Sequence, residues 1–213
     1  MVPGLEKKVA IVTGHRSGIG EAVATLLREH GAIVHGFDLP DVDLGDLEGI
    51  ARHVDAVATR EGRIDILINN AGLTQIMPIA LIEEDEWDAV MDTNVKGAFL
   101  FSRAALRSMI RSKKGHILNI GSFGADRIVD APVHYAASKA ALVGFSLALA
   151  KEVGRYGVAV NCLVPGLLET GLSNRLPKHR IDSYVSQVAL GRLGTVDEIA
   201  EFAAWIVSDD NSY

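Results

Sequence analysis

Tyr135-Ala136-Ala137-Ser138-Lys139 sets a phenol and an ammonium four residues apart. On a helix that spacing puts both side chains on one face, one turn apart. A free tyrosine, with a pKa of about 10, is a poor base near neutrality. A lysine charge ~4 Å away, at an effective dielectric of ~20, is worth roughly 4 kcal/mol. At ~1.4 kcal/mol per unit this lowers a phenol by up to ~3 units, into the range of a general acid/base. Such pairs are also common on solvated helix faces, so the meaning of this one depends on what the rest of the chain assembles around it.

Val9 to Thr13 is a short apolar run, as in a buried strand, and it ends in Thr13-Gly14-His15-Arg16-Ser17-Gly18-Ile19-Gly20. Helical spacing follows from Glu21 to Glu29, at Ala22, Leu26 and Leu27. Strand, glycine-rich turn and helix form a phosphate site: glycines admit a pyrophosphate to the backbone, and the helix N-terminus offers unpaired N–H groups. A second strand, Ala32 to Phe37, ends in Asp38, 18 residues past Gly20, where a dinucleotide fold keeps its ribose-binding carboxylate. A carboxylate there accepts ribose hydroxyls and repels a 2′-phosphate, so NAD is expected over NADP. Arg16 has two readings, a solvated loop cation or a partner for that phosphate. His15 reads as a loop residue. The turn lacks the Gly-Lys-Ser/Thr ending that grips a triphosphate, which argues against phosphoryl transfer.

Leu39 to Gly45 is compact, and a helix is expected from about Asp46, its possible N-cap, to Glu61. Asp65 to Ile68 is a strand that runs into Asn69-Asn70-Ala71-Gly72, a turn at the sheet edge where ligands bind. From Glu84 to Ser112, Trp87, Val90, Met91, Asn94, Ala98, Phe101 and Ala105 recur at helical steps, with Asn94 on the apolar stripe. A buried Asn needs partners, and either structural satisfaction or a catalytic water relay supplies them. Gly115 to Gly121 is a strand ending in Ser122, and a helix runs from Tyr135 to about Gly154. That helix is apolar nearly all round, which implies cover on more than one side, by a partner subunit for example. Gly157 to Leu163 is a strand holding Cys162, read as an inert core thiol, and Pro165-Gly166 breaks it. Leu167 to Leu190 is the least patterned stretch and is read as a lid over the substrate. Asp126, Arg127 and His134 are read with it, as residues that either shape the substrate pocket or hold loops. A last helix spans about Val196 to Ser208, with Thr195 as N-cap.

Alternating strands and helices over 213 residues give one α/β domain, with a doubly wound parallel sheet and helices on both faces. Hydrophobic content of 48% against 23% charged is globular, and a net charge of −6 with no basic stripe argues against nucleic acid. One cysteine excludes an internal disulfide, and Cys or His metal clusters are lacking. The N-terminus does not read as a signal peptide and no apolar run is taken as membrane-spanning, so a cytoplasmic protein without membrane contact is expected.

Thr13-Gly14, Gly18-Ile19-Gly20, Asn69-Asn70-Ala71-Gly72, Asn94, Ser122, Tyr135 to Lys139 and Pro165-Gly166, in that order, resemble the short-chain dehydrogenase/reductase family from about Leu5 to Tyr213. The resemblance implies a Rossmann-type fold and hydride transfer between NAD(H) and a secondary alcohol or ketone. An NADPH-dependent ketone or 3-ketoacyl-type reductase is the near alternative, and a silent dinucleotide-sensing scaffold the distant one. Tyr135 would be the acid/base, with Lys139 lowering its pKa and holding the nicotinamide ribose. Ser122 would bond the substrate oxygen, and Asn94 would anchor a proton-passing water. Gly14, Arg16, Ser17, Gly18, Ile19 and Gly20 would line the pyrophosphate, and Asp38 would bind the adenosine ribose. Asp43 and Leu44 would flank adenine. Asn70, Ala71 and Gly72 would run along the cofactor, and Pro165, Gly166 and Thr170 would border nicotinamide and phosphates. A homodimer or homotetramer is also implied. Two departures stand out. The connection from Asp38 to Asn69 is short, so its helix is expected to be missing or reduced. The family's final strand is absent at Ser212-Tyr213, and a further C-terminal segment is expected to account for it.

Overall fold

The computed structural model describes residues 3–38, 47–125, 131–171, 173 and 176–212. Five strands, β1 (Val9–Thr13), β2 (Ile33–Phe37), β3 (Ile66–Asn69), β4 (Gly115–Ile120) and β5 (Val158–Leu163), form one parallel sheet in the order β2-β1-β3-β4-β5. β1, β3 and β4 are buried along their whole length, as sheets covered on both faces require. Residues alternate between two cores. Val9, Ile11, Leu67 and Ile117 face α2 (Leu47–Glu61) and α4 (Gly97–Ser112). Ala10, Val12, Ile66, Ile68 and Leu118 face α1 (Gly18–Glu29) and α7 (Val196–Ile206). The chain leaves β1 in opposite directions for β2 and β3, so the carboxyl ends of β1 and β3 flank the switch point where such sheets bind ligands.

The expected doubly wound sheet is therefore present, with corrections in its parts. The helix thought to be missing or reduced is a full 15 residues, α2. The 84–112 helix is real but broken: α3 (Glu84–Met91) and α4 are joined by a π turn, Asp92–Lys96, that contains Asn94. The unpatterned 167–190 stretch holds a helix, α6 (Lys178–Val185), too short to display a clear period. The last helix begins where expected, because Thr195 accepts from the N–H of Glu198 while Glu198 bonds back to Thr195, a complete capping box.

The helix bearing the Tyr-Lys pair, α5 (Val133–Val153), starts two residues before Tyr135. By length and composition it could cross a membrane, contrary to expectation, yet it packs on β5, α3 and the π turn. His134, Ser138, Lys139, Leu142 and Ser146 form its buried side. Its outer side, including Leu147 at 71% exposure, has no cover among the described residues. Cys162 on β5 is half-buried rather than a core residue.

Candidate active site

The glycine turn is shaped by contacts that only glycine tolerates. Gly14 sits at φ +67°, and a Cβ there would stand 2.8 Å from Asn70 Nδ2. A Cβ on Gly20 would run into Gly14 O and Asn70 Nδ2, so α1 is pressed onto the turn and onto the loop after β3. Gly18, at φ +56°, has nothing within 4 Å of where a Cβ would stand and leaves the backbone open to the cleft. Ser17 caps α1 without a side-chain bond, so the first N–H groups of α1 keep no side-chain partner there. Thr13 Oγ1 accepts from the N–H groups of Asn70 and Ala71, and Asn70 Nδ2 donates to the carbonyls of Thr13 and Gly14. These bonds close the switch point into one rigid floor. A bare, glycine-lined floor meeting a helix N-terminus fits a dinucleotide pyrophosphate.

That floor opens into a cleft of about 1720 Å³, more than a drug-sized ligand needs. Gly14, Ser17, Gly18, Ile19 and Asp38 line one end. Asn70, Ala71 and Gly72 line the middle, and Ser122, Tyr135, Lys139, Pro165, Gly166 and Thr170 line the other end. Gly20 and Arg16 do not line it: Gly20 is buried under the turn, and Arg16 contributes its backbone N–H to Asp38 Oδ2 at 3.1 Å. His15 covers Gly36 of β2, as a loop residue. Asp43 and Leu44 lie outside the described residues, as do Asp126 and Arg127.

The Tyr135 phenol and Ser122, two residues past β4, line the same end of the cleft. Lys139, only 4% exposed, donates to Ile120 O at 2.7 Å. Burial pushes the Tyr135 phenol up, and the nearby Ser122 hydroxyl pulls it partly back. The expected depression of Tyr135 by Lys139 is not present in this structure. The ammonium lies over the ring, 5.7 Å from its centroid, and is directed at a backbone carbonyl instead of the hydroxyl. The depressed group is Lys139 itself, lowered to about 8 by burial, with Cys162 opposing.

Asn94 is fully buried and its side chain is committed. Leu73 N donates to its Oδ1 at 2.7 Å, and its Nδ2 donates to Leu73 O at 3.0 Å and Ser138 Oγ at 2.9 Å. It clamps the loop after β3 to α5. Ser138 in turn donates to Tyr135 O at 2.7 Å. His134, a pocket candidate by its position, is buried away from the cleft and accepts from Tyr135 N–H through Nδ1. Among the cleft residues that carry no motif in the sequence are Phe123 and Tyr184. Tyr184 on α6 packs tilted against Phe123 at 5.2 Å between centroids, and its hydroxyl accepts from Leu167 N–H at 3.0 Å. It pins α6 against Gly166. An aromatic four residues before Val188 in a charged stretch is the only signal the sequence offers for it.

Comparison with known proteins agrees with this geometry. The family described as enoyl-(acyl carrier protein) reductase matches residues 36–213. The 3-oxoacyl-[acyl-carrier-protein] reductase FabG of Vibrio cholerae is 37% identical, over 98% of this chain and 93% of the relative. FabG of Escherichia coli K12 is 33% identical over the same shares. A protein of Beutenbergia cavernae assigned as an NAD(P)-dependent gluconate 5-dehydrogenase, solved with NADP at low occupancy, superposes with a TM-score of 0.93 at 31% identity. The match covers 99% of this chain and 93% of the neighbour's. The expected preference for NAD over NADP is overturned by that NADP-bound neighbour. Asp38 lines the cleft and accepts the Arg16 N–H through Oδ2, and a carboxylate there does not by itself exclude a 2′-phosphate.

Proposed function

The chain belongs to the short-chain dehydrogenase/reductase family, and from that premise we propose that Tyr135 is the acid/base of an NAD(P)-dependent reductase acting on a 3-oxoacyl thioester. The observation that carries the catalytic part is the convergence of Ser122, Tyr135 and buried Lys139 on one end of the cleft. Gly14, Ser17, Gly18 and Ile19 would hold the cofactor's pyrophosphate, with Asn70 to Gly72 along its length. The bound nicotinamide supplies or accepts the hydride.

The chain's own residues handle the oxygen. Ser122 and Tyr135 donate to the ketone oxygen, which fixes the carbonyl and polarises it. Tyr135 then delivers its proton to that oxygen as charge develops there. A phenol raised by burial stays protonated at neutral pH, as a proton donor in the reducing direction must. Lys139, lowered to about 8, exchanges protons near neutrality and is the reservoir on the inner side of Tyr135. Asn94 acts by holding the loop after β3 against α5, a role its committed side chain supports.

Leu73, Ile76, Leu168, Leu176 and Val188 make the substrate arm of the cleft apolar, which favours an acyl chain. His179 and Arg180 on the same wall favour an anionic group, and a sugar acid is the second reading. Following reduced-nicotinamide absorbance with a 3-oxoacyl thioester and with 5-ketogluconate separates them: faster turnover of the thioester supports the first, and turnover of the keto acid alone replaces it. The bare outer face of α5 supports self-association as a homodimer or homotetramer, and a single unpaired cysteine fits a cytoplasmic location.

A further inference from the structure

Four buried polar side chains, each from a different element, lie beneath the catalytic pair without lining the cleft: Ser102 on α4, Asn69 on β3, Asn119 on β4 and Ser146 on α5. They form one ladder. Asn69 Nδ2 donates to Ser102 Oγ at 3.1 Å and to Asn119 Oδ1 at 2.8 Å. Asn119 Nδ2 donates to Ser146 Oγ at 2.8 Å, and Ser146 Oγ donates to Leu142 O at 2.6 Å. Asn69 and Asn119 are direct partners in the sheet. Apolar side chains would fill this layer without the cost of burying amides, so the ladder calls for a reason beyond packing.

Its position supplies one. Asn119 immediately precedes Ile120, the residue whose carbonyl takes the Lys139 ammonium. Ser146 stands seven residues beyond Lys139, two turns along the same buried side of α5. Asn69 immediately precedes the Asn70 to Gly72 loop, and the Cβ position of Gly72 lies 3.4 Å from Lys139 Nζ. We propose that the ladder is a positioning device: the Asn119–Ser146 bond holds α5 at the height on β4 that brings Lys139 to Ile120 O, and the Asn69–Asn119 bond ties that height to the cofactor loop. The proposal rests on the reading of Tyr135 and Lys139 given above. Among the described residues, the titratable groups facing Lys139 are Tyr135 on its own helix and Cys162 on β5.

The test follows the Lys139 side chain by NMR through a pH titration of the cofactor-free protein, beside steady-state kinetics. The wild-type ammonium is expected to titrate at about 8. Ser146→Ala frees α5, admits water to Lys139 and moves that midpoint up by about one unit. It also lowers kcat by about tenfold while leaving the ketone KM nearly unchanged. Ser112→Ala, which removes a hydroxyl bonded to carbonyls at the end of α4, costs stability without moving the midpoint. Should Ser146→Ala not fold, Ser146→Thr and Ser146→Val match each other in volume and differ in the hydroxyl. Thr keeps the wild-type midpoint and Val raises it. A wild-type midpoint in the Ala or Val variant, with only the melting temperature lowered, overturns the proposal. A wild type whose Lys139 titrates near 8 but which turns over no carbonyl substrate defeats the functional reading instead.

Discussion

Replacing Lys139 by Met should make the cofactor-free protein more stable at neutral pH while removing its activity. The ammonium is 4% exposed, and its pKa falls from 10.5 to about 8 through burial. Solvent screening does not discount a shift at so buried a site, and the shift corresponds to about 3 kcal/mol. Below pH 8 the group is charged in both the folded and the unfolded chain, so the folded state bears this penalty in full. Between 8 and 10.5 the unfolded chain binds the extra proton, so wild-type stability rises with pH and the penalty fades. Methionine removes the charge but also the bond to Ile120 O, which costs about 1 kcal/mol. Lys139→Met therefore gains about 2 kcal/mol at pH 7, or roughly 5 °C in melting temperature for a domain of this size. It becomes less stable than wild type, by about 1 kcal/mol, near pH 10.5. Urea unfolding of both proteins at intervals from about pH 6 to 10.5 measures the difference directly. A variant less stable at pH 7, or a difference flat across that range, refutes the assignment of a depressed, buried ammonium. The expected gain with loss of function is the exchange that a site built around a desolvated charge makes.

Two further substitutions probe the rest of the cleft. Gly20→Ala forces a Cβ into Gly14 O and Asn70 Nδ2, so NADPH affinity measured by fluorescence titration should fall by at least about tenfold, and unchanged affinity would remove the turn from the cofactor site. Tyr184→Phe leaves Leu167 N–H without its acceptor while keeping the ring on Phe123. It should raise substrate KM by about threefold to tenfold with kcat little changed, and a wild-type KM would show that α6 needs no such pin.

The parts of the site legible in the sequence are those whose chemistry depends on residue type at fixed spacing. Tyr135, Lys139, Ser122 and the glycine turn are readable because each motif ends a strand or opens a helix, and the parallel sheet gathers those ends on one edge. The π turn at Asp92–Lys96 is not readable, since an apolar stripe at steps of three and four continues across it. The electrostatics of the pair escape the sequence for a related reason. Spacing sets which helix face two side chains share, but only the fold decides that Lys139 ends on Ile120 O and is desolvated there. The cofactor preference fails because one carboxylate at the end of β2 does not decide between a ribose hydroxyl and a 2′-phosphate, a choice shared with the loop that places Arg16 beside it. The polar ladder stays hidden inside strands that read as apolar runs, where Asn69 and Asn119 look like strand ends.

The central claim is that Tyr135 exchanges the proton of the reacting oxygen in a cleft that binds NAD(P) independently of it. Tyr135→Phe tests this most directly, with turnover and NADPH affinity measured on the same preparation. The account predicts a fall in kcat of at least about a hundredfold with NADPH affinity and fold retained, because only the proton-donating hydroxyl is lost. Turnover within a few fold of wild type would contradict it.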